Sequence, residues 1–197
     1  ILGHNKTAPG KQNTDRIEGG GIVATGSSGQ TLVFDNCLLQ GNHVDGFGSV
    51  AYLNNTKLIT KNGVVFAYNS ATSAGGAIYS NSNSIEIYDT TAHHNTSYGA
   101  EGGFMGGTYG HRLLKDSTFE SNYALAQGGA ISTGGGGVNS LVLTNCTFNY
   151  NEAGVDGGAV YGQLGTNSAT FTDCAFYRNS AVGSGGAVCQ FGPAHYI

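Results

Sequence analysis

Phe119-Glu120-Ser121-Asn122 followed by Gly128-Gly129-Ala130 decides how this chain is read, because the same pair returns at constant offset along it. Phe66-Ala67-Tyr68-Asn69 leads to Gly75-Gly76-Ala77, Phe148-Asn149-Tyr150-Asn151 to Gly157-Gly158-Ala159, and Phe176-Tyr177-Arg178-Asn179 to Gly185-Gly186-Ala187. Degenerate copies fill the gaps: Leu39-Gln40-Gly41-Asn42 before Gly48-Ser49-Val50, and Ala92-His93-His94-Asn95 before Gly102-Gly103-Phe104. The Asn positions 42, 69, 95, 122, 151 and 179 are therefore 27, 26, 27, 29 and 28 residues apart, and Asn13 ahead of Gly19-Gly20-Gly21 fits a degenerate first copy. A period of this length means stacked units rather than one closed core.

The repeat leaves no room for a domain boundary, so residues 1–197 read as a single domain, with 1–18 a degenerate first rung or end segment and 187–197 an incomplete last rung. Thirty-four glycines among 197 residues speak against a helical protein, where each would be a standing cost. Periodic Phe, Ile, Val and Leu speak against disorder. A net charge of −4 with scattered Lys and Arg offers no basic patch, which excludes nucleic acid as a partner. No apolar run approaches membrane-spanning length, so no membrane insertion is expected within this chain. The chain opens on Ile1 without a secretory-type segment, as a mature form or an excerpt would.

Within a repeat the apolar residues alternate over short spans such as Ser84-Ile85-Glu86-Ile87-Tyr88 and Ser140-Leu141-Val142-Leu143-Thr144, the period of a β-strand. Polar punctuation follows each span at Asp35-Asn36, Asn62-Gly63, Asp89, Asp116, Asn145 and Asp173, residues that tolerate left-handed turns. A strand carrying the Phe position comes next, and a third strand follows the glycine pair. Three short strands in about 27 residues make one rung of a parallel β-helix, here of six to seven rungs. Equivalent residues then stack about 4.8 Å apart. Leu39, Phe66, Phe119, Phe148 and Phe176 form an interior column interrupted by Ala92, while Asn42, Asn69, Asn95, Asn122, Asn151 and Asn179 form a buried amide ladder at a corner. The small residues Ala71, Ser97, Ala124, Ala153 and Ala181, with the glycine pair, let the backbone turn that corner.

Phe-x-x-Asn paired with Gly-Gly-Ala-Ile/Val resembles the repeat of the polymorphic outer membrane protein family, with four copies intact at Phe66, Phe119, Phe148 and Phe176. The resemblance implies an all-β, right-handed parallel β-helix, exposed at a cell surface and associated with adhesion. No membrane barrel is expected within these 197 residues, so anchoring and adhesion are not carried over with the resemblance.

Catalytic and ligand-binding patterns are weak. The acids do not gather in the pairs a polysaccharide lyase or hydrolase needs; Asp89 and Asp116 share the turn column, where turn formation rather than a calcium or catalytic site is expected. His93 and His94, adjacent on a strand, should face opposite sides and not share a metal. Lys6-Thr7-Ala8-Pro9-Gly10-Lys11 lacks the first Gly and the following hydroxyl of a phosphate loop. Thr91, Thr118 and Thr147 make an outward column too interrupted, by Leu38, Val65 and Ala175, for an ice-binding face. No cofactor is called for.

Acceptor sequons for N-linked glycans begin at Asn5, Asn54, Asn95 and Asn145. Asn5 and Asn54 are the better placed, since Asn95 also belongs to the ladder. Cys37, Cys146 and Cys174 share one slot; Cys146 and Cys174, in adjacent rungs, are either a disulfide or members of a column of small buried thiols. Residues 187–197 begin a rung and 1–13 resemble the later part of one, which fits subunits that self-associate head to tail. The expected function is an extracellular structural protein, a β-helical subunit or segment of a surface appendage, filament or matrix. A cell-surface adhesin fragment is the alternative, ahead of a carbohydrate-active enzyme.

Overall fold

The computed structural model describes residues 2–3, 22–81, 84–163 and 169–191. Over them the chain is all-β and winds as a parallel β-solenoid of about six turns. The degenerate copy at Asn13 and the sequon at Asn5 lie outside the described residues, as do most of the two end segments.

Three parallel sheets run the length of the stack. The first carries the Phe position, in Leu38–Gln40, Val64–Ala67, Thr90–His93, Thr118–Glu120, Thr147–Asn149 and Ala175–Tyr177, with Leu2–Gly3 paired ahead of them. Its register puts Ala92 between Phe66 and Phe119, then Phe148 and Phe176. The second sheet is made of two-residue strands directly after the ladder Asn, from His43–Val44 to Ser180–Ala181. The sequence predicts three strands per rung and misses this fourth segment, because two residues are too few to show a period. The third sheet joins the strand after the glycine pair to the alternating span of the same rung, as in Ala51–Lys61 and Met105–Lys115. Those long strands bend at Asn55 (φ 54°) and Tyr109 (φ 58°), and the register shifts between Thr108 and Gly110.

The two glycines of each pair do different work. Gly75, Gly102, Gly128, Gly157 and Gly185 all take φ between 63° and 69°, a left-handed turn without the clash a Cβ brings. Gly76 needs its missing side chain for another reason: a Cβ there would fall on the Gly103 carbonyl oxygen of the next rung.

The interior is a dry stack of aromatics and aliphatics. Phe119 lies on Phe148 at 4.7 Å between centroids and Phe148 on Phe176 at 4.9 Å. The gap at Ala92 is not empty. Phe104, standing where other repeats have Ala after the glycine pair, reaches into it and packs 5.2 Å from Phe66 and 5.6 Å from Phe119. One repeat has thus exchanged the sizes of two positions while keeping the volume, the kind of swap a packed core tolerates best.

A further interior place holds a charge. Arg112 is in register with Ile85 and Leu141, both fully buried, and is itself only 2% exposed. Its Nη1 donates to the His111 carbonyl at 3.4 Å, and burial lowers its pKa to about 10.

Candidate functional site

The site is built on the corner where the Phe strand ends. The four middle ladder amides spend both their hydrogens: Asn122 Nδ2 donates to Asn151 Oδ1 at 3.0 Å and to the Ala92 carbonyl of the preceding rung at 2.9 Å. Asn69, Asn95 and Asn151 repeat the pattern, with the next ladder Oδ1 and with the carbonyls of Leu39, Phe66 and Phe119. The backbone N–H of each ladder Asn also donates to the next Oδ1, as Asn95 does to Asn122 at 3.0 Å. Asn42, Asn69, Asn95, Asn122 and Asn151 are fully buried, and Asn179 is partly so. Such a chain of charge-free bonds is costly to interrupt, since every member leaves unpaired neighbours.

Turning the amide into that corner forces the residue before it into left-handed backbone. Gly41 (66°), Tyr68 (54°), His94 (55°), Ser121 (52°), Tyr150 (54°) and Arg178 (51°) all have positive φ. Glycine suits that conformation, but tyrosine, histidine and arginine do not, and each carries roughly 1 kcal/mol or more of strain. Their side chains project outward. Tyr68 is 55% exposed and Tyr150 46%, with Tyr177 beside them at 52%. The Arg178 guanidinium lies over Tyr177 at 5.0 Å and Tyr150 at 5.6 Å, and its Nη1 donates to the Tyr150 hydroxyl at 3.2 Å.

Three rungs earlier the same column forms a second cluster. His93 ends its strand and His94 turns left-handed, so the rings that sequence alone places on opposite sides converge instead, with Nδ1···Nδ1 at 3.1 Å. Alternation fails because it holds only while φ stays in the strand region. Tyr68 stacks on His94 at 4.9 Å and meets His93 edge-on at 5.4 Å. Desolvation, then the neighbouring His94, lowers the pKa of His93, while Glu120 in the next rung opposes that shift. Beside the cluster lies an open hollow of about 320 Å³, lined by Tyr68, Asn69, Ser70, His94, Thr96, Tyr98 and Ser121. Among the described residues no group of three or more His, Cys, Asp or Glu is placed to hold a metal ion.

The turn column ahead of the Phe strand answers to backbone needs. Asn36, Asn62, Asp89, Asp116, Asn145 and Asp173 all have φ between 43° and 60°. Asn62 Nδ2 donates to Asp35 Oδ1 and Asn145 Nδ2 to Asp116 Oδ1, each at 2.8 Å. Thr91, Thr118 and Thr147 stand in register on the adjoining face.

The remaining candidate residues separate by burial. Asn95, with both amide hydrogens donated inside the ladder, has no side chain to offer a glycan. Asn145 is exposed but engaged with Asp116, and Asn54 is partly buried near the bend at Asn55. Cys37, Cys146, Cys174 and Cys189 stand as free thiols in this structure. The Sγ of Cys37, Cys146 and Cys174 each donates to the carbonyl two residues back, and desolvation pushes Cys146 up to about 11. A thiol so far from ionisation is inert at neutral pH. Glu101 fills the space beside Gly134, accepts from Ser132 Oγ at 2.7 Å, and has its pKa raised by desolvation.

The family model of the Chlamydia polymorphic membrane protein repeat matches at residues 63–81, 116–139 and 145–163. The chain is a parallel β-solenoid, three segments of which match the repeat of this family. No curated protein and no solved structure matches it. Among the described residues no helix is long and apolar enough to cross a membrane, which says nothing of β-barrels.

Proposed function

We propose that this chain is a surface-exposed, extracellular structural segment, a stiff β-solenoid that sets a distance and presents one face. The observation that carries the reading is continuity: all three sheets pair strand to strand, in parallel, through successive rungs, held by the amide ladder. The family whose repeat it carries is one of membrane proteins, which supports placement at a cell surface. The last described rung leaves Phe171 36% exposed, where its register partner Leu143 in the preceding rung is fully buried, and a further rung, from a second copy or from continuing chain, fits there. Head-to-tail stacking into a filament is the assembly that follows. A glycan at Asn54 would sit on the lateral surface and leave that axis free, and Asn5 is the other candidate acceptor. Electron microscopy of the purified 197-residue chain tests this. Filaments with a constant axial rise support it, and a concentration-independent monomer removes the filament.

A second reading, an adhesive face, is favoured by the left-handed column. Tyr68, Tyr150 and Arg178 hold strained backbone for the sake of exposed aromatic and cationic side chains. Such residues dominate protein contact surfaces. Cell-binding assays with Tyr150→Asn and Arg178→Asn distinguish this from a purely structural role, which those changes would leave intact.

A further inference from the structure

Neighbouring histidines on a strand cannot chelate, yet His93 and His94 do share a side, because His94 takes φ 55° at the strand end. Their Nδ1 atoms stand 3.1 Å apart, with ring planes at 90° to each other. A transition-metal ion about 2.0–2.1 Å from each nitrogen would subtend an angle of about 100° across that edge. That angle lies between the 90° of cis square-planar or octahedral positions and the tetrahedral value. Two nitrogens already 3.1 Å apart need little movement to receive an ion between them.

The rings are also held in advance. Tyr68 of the preceding rung lies nearly parallel to His94, with an interplanar angle of 22°, and stands at 87° to His93. Glu120 of the following rung is the strand partner of His93, which places a carboxylate next to the pair and lowers the cost of bringing a cation there. Ordering two imidazoles before binding removes part of the entropy that a flexible pair would lose.

We propose that His93 and His94 form a two-nitrogen surface site for an imidazole-preferring divalent transition ion, with Cu²⁺ bound most tightly and Ni²⁺ and Zn²⁺ less so. Both rings bind through Nδ1, so both carry their remaining proton on Nε2. Where one ring donates its Nδ1 hydrogen to the other in the free protein, that ring changes tautomer and no proton is lost from the neutral pair. With only two protein donors the ion keeps open positions toward solvent, filled by water or by a donor from another molecule. The same turn geometry that strains the backbone at His94 thus makes an outward-facing chelate.

The test is titration of the full chain with Cu²⁺ alone, followed by calorimetry and by electron paramagnetic resonance. One saturable equivalent with hyperfine coupling to two nitrogens is expected. His94→Asn keeps a residue suited to positive φ while removing the ring, and His93→Ala removes the other. Each is expected to weaken that equivalent by at least about tenfold, since loss of an outer-shell partner alone costs that much. His43→Ala, whose Nδ1 is bonded to Ser70 Oγ at 2.9 Å, leaves it unchanged. In the unmutated protein, substoichiometric Cu²⁺ broadens the His93 and His94 ring signals first. Absence of saturable binding, an equivalent that survives both substitutions in folded protein, or earlier broadening of other histidines overturns the proposal.

Discussion

Two columns of left-handed turns flank the Phe strand, and they are filled by opposite rules. The column ahead of it, from Asn36 to Asp173, uses only Asn and Asp, residues that tolerate positive φ; Asn145 bonds to Asp116 of the preceding rung, and Asn62 to Asp35 beside the column. The column after it uses Gly41, Tyr68, His94, Ser121, Tyr150 and Arg178 at nearly the same φ. The backbone asks the same of both. In the first the side chain serves the turn; in the second the ladder Asn that follows enforces the turn, and the side chain is free to serve something outside. Strain kept at exposed aromatic and cationic residues is a mark of function rather than of folding.

The packing behind the strand between the columns is where the comparison breaks most severely. Phe104→Ala empties the space beside Ala92 and is expected to cost about 3–5 kcal/mol, while Ala92→Phe alone overpacks the same space. The double exchange, which restores the pattern of the other repeats, should recover most of the loss; denaturant unfolding of all three gives the coupling. Next comes the ladder that enforces the second column. Asn122→Ala strands the Ala92 carbonyl and the amide of Asn95, for about 2–4 kcal/mol in the same measurement. In the first column Asn145→Ala loses both the bond to Asp116 and a residue tolerant of positive φ, for about 1–2 kcal/mol by thermal melting.

A smaller effect separates the columns by pH. Asn62, then Lys61, lowers the pKa of Asp35 beside the first column. A depressed carboxylate contributes stability that is present above its ordinary value of 3.8 and is lost as pH falls through the lower folded value. Unfolding midpoints should therefore drop more for the native protein than for Asn62→Ala between pH 5 and pH 3. An equal drop would mean that the contact does no work.

Much of this architecture is legible in sequence because stacking places like on like: the ladder, the Phe column and the Asn/Asp turns repeat their own letters. What escapes is whatever departs from the repeat in a compensated or local way. Phe104 for Ala and Ala92 for Phe are two irregularities of one copy, and only their proximity in space makes them one event. Arg112 stands 27 residues after Ile85, which stands 27 after Leu58, so counting alone places it inside; its charge argues for the surface and misleads. The two-residue strands are too short to carry a pattern. For the candidate site, the residues of the second column are printed in every repeat, but their outward convergence depends on a φ that His, Tyr and Arg rarely adopt. The His pair, the Tyr68 stack and the Arg178 cluster are products of that backbone.

The claim that the second column is kept for its surface rather than for the fold is tested most directly by one melting comparison. Tyr68→Asn, Tyr150→Asn and Arg178→Asn combined relieve three strained turns while removing the exposed side chains. The account predicts a melting temperature equal to the native protein's or a few degrees higher, at roughly 0.5 kcal/mol of relief per position. A fall of several degrees would contradict it, because those side chains would then be holding the solenoid together.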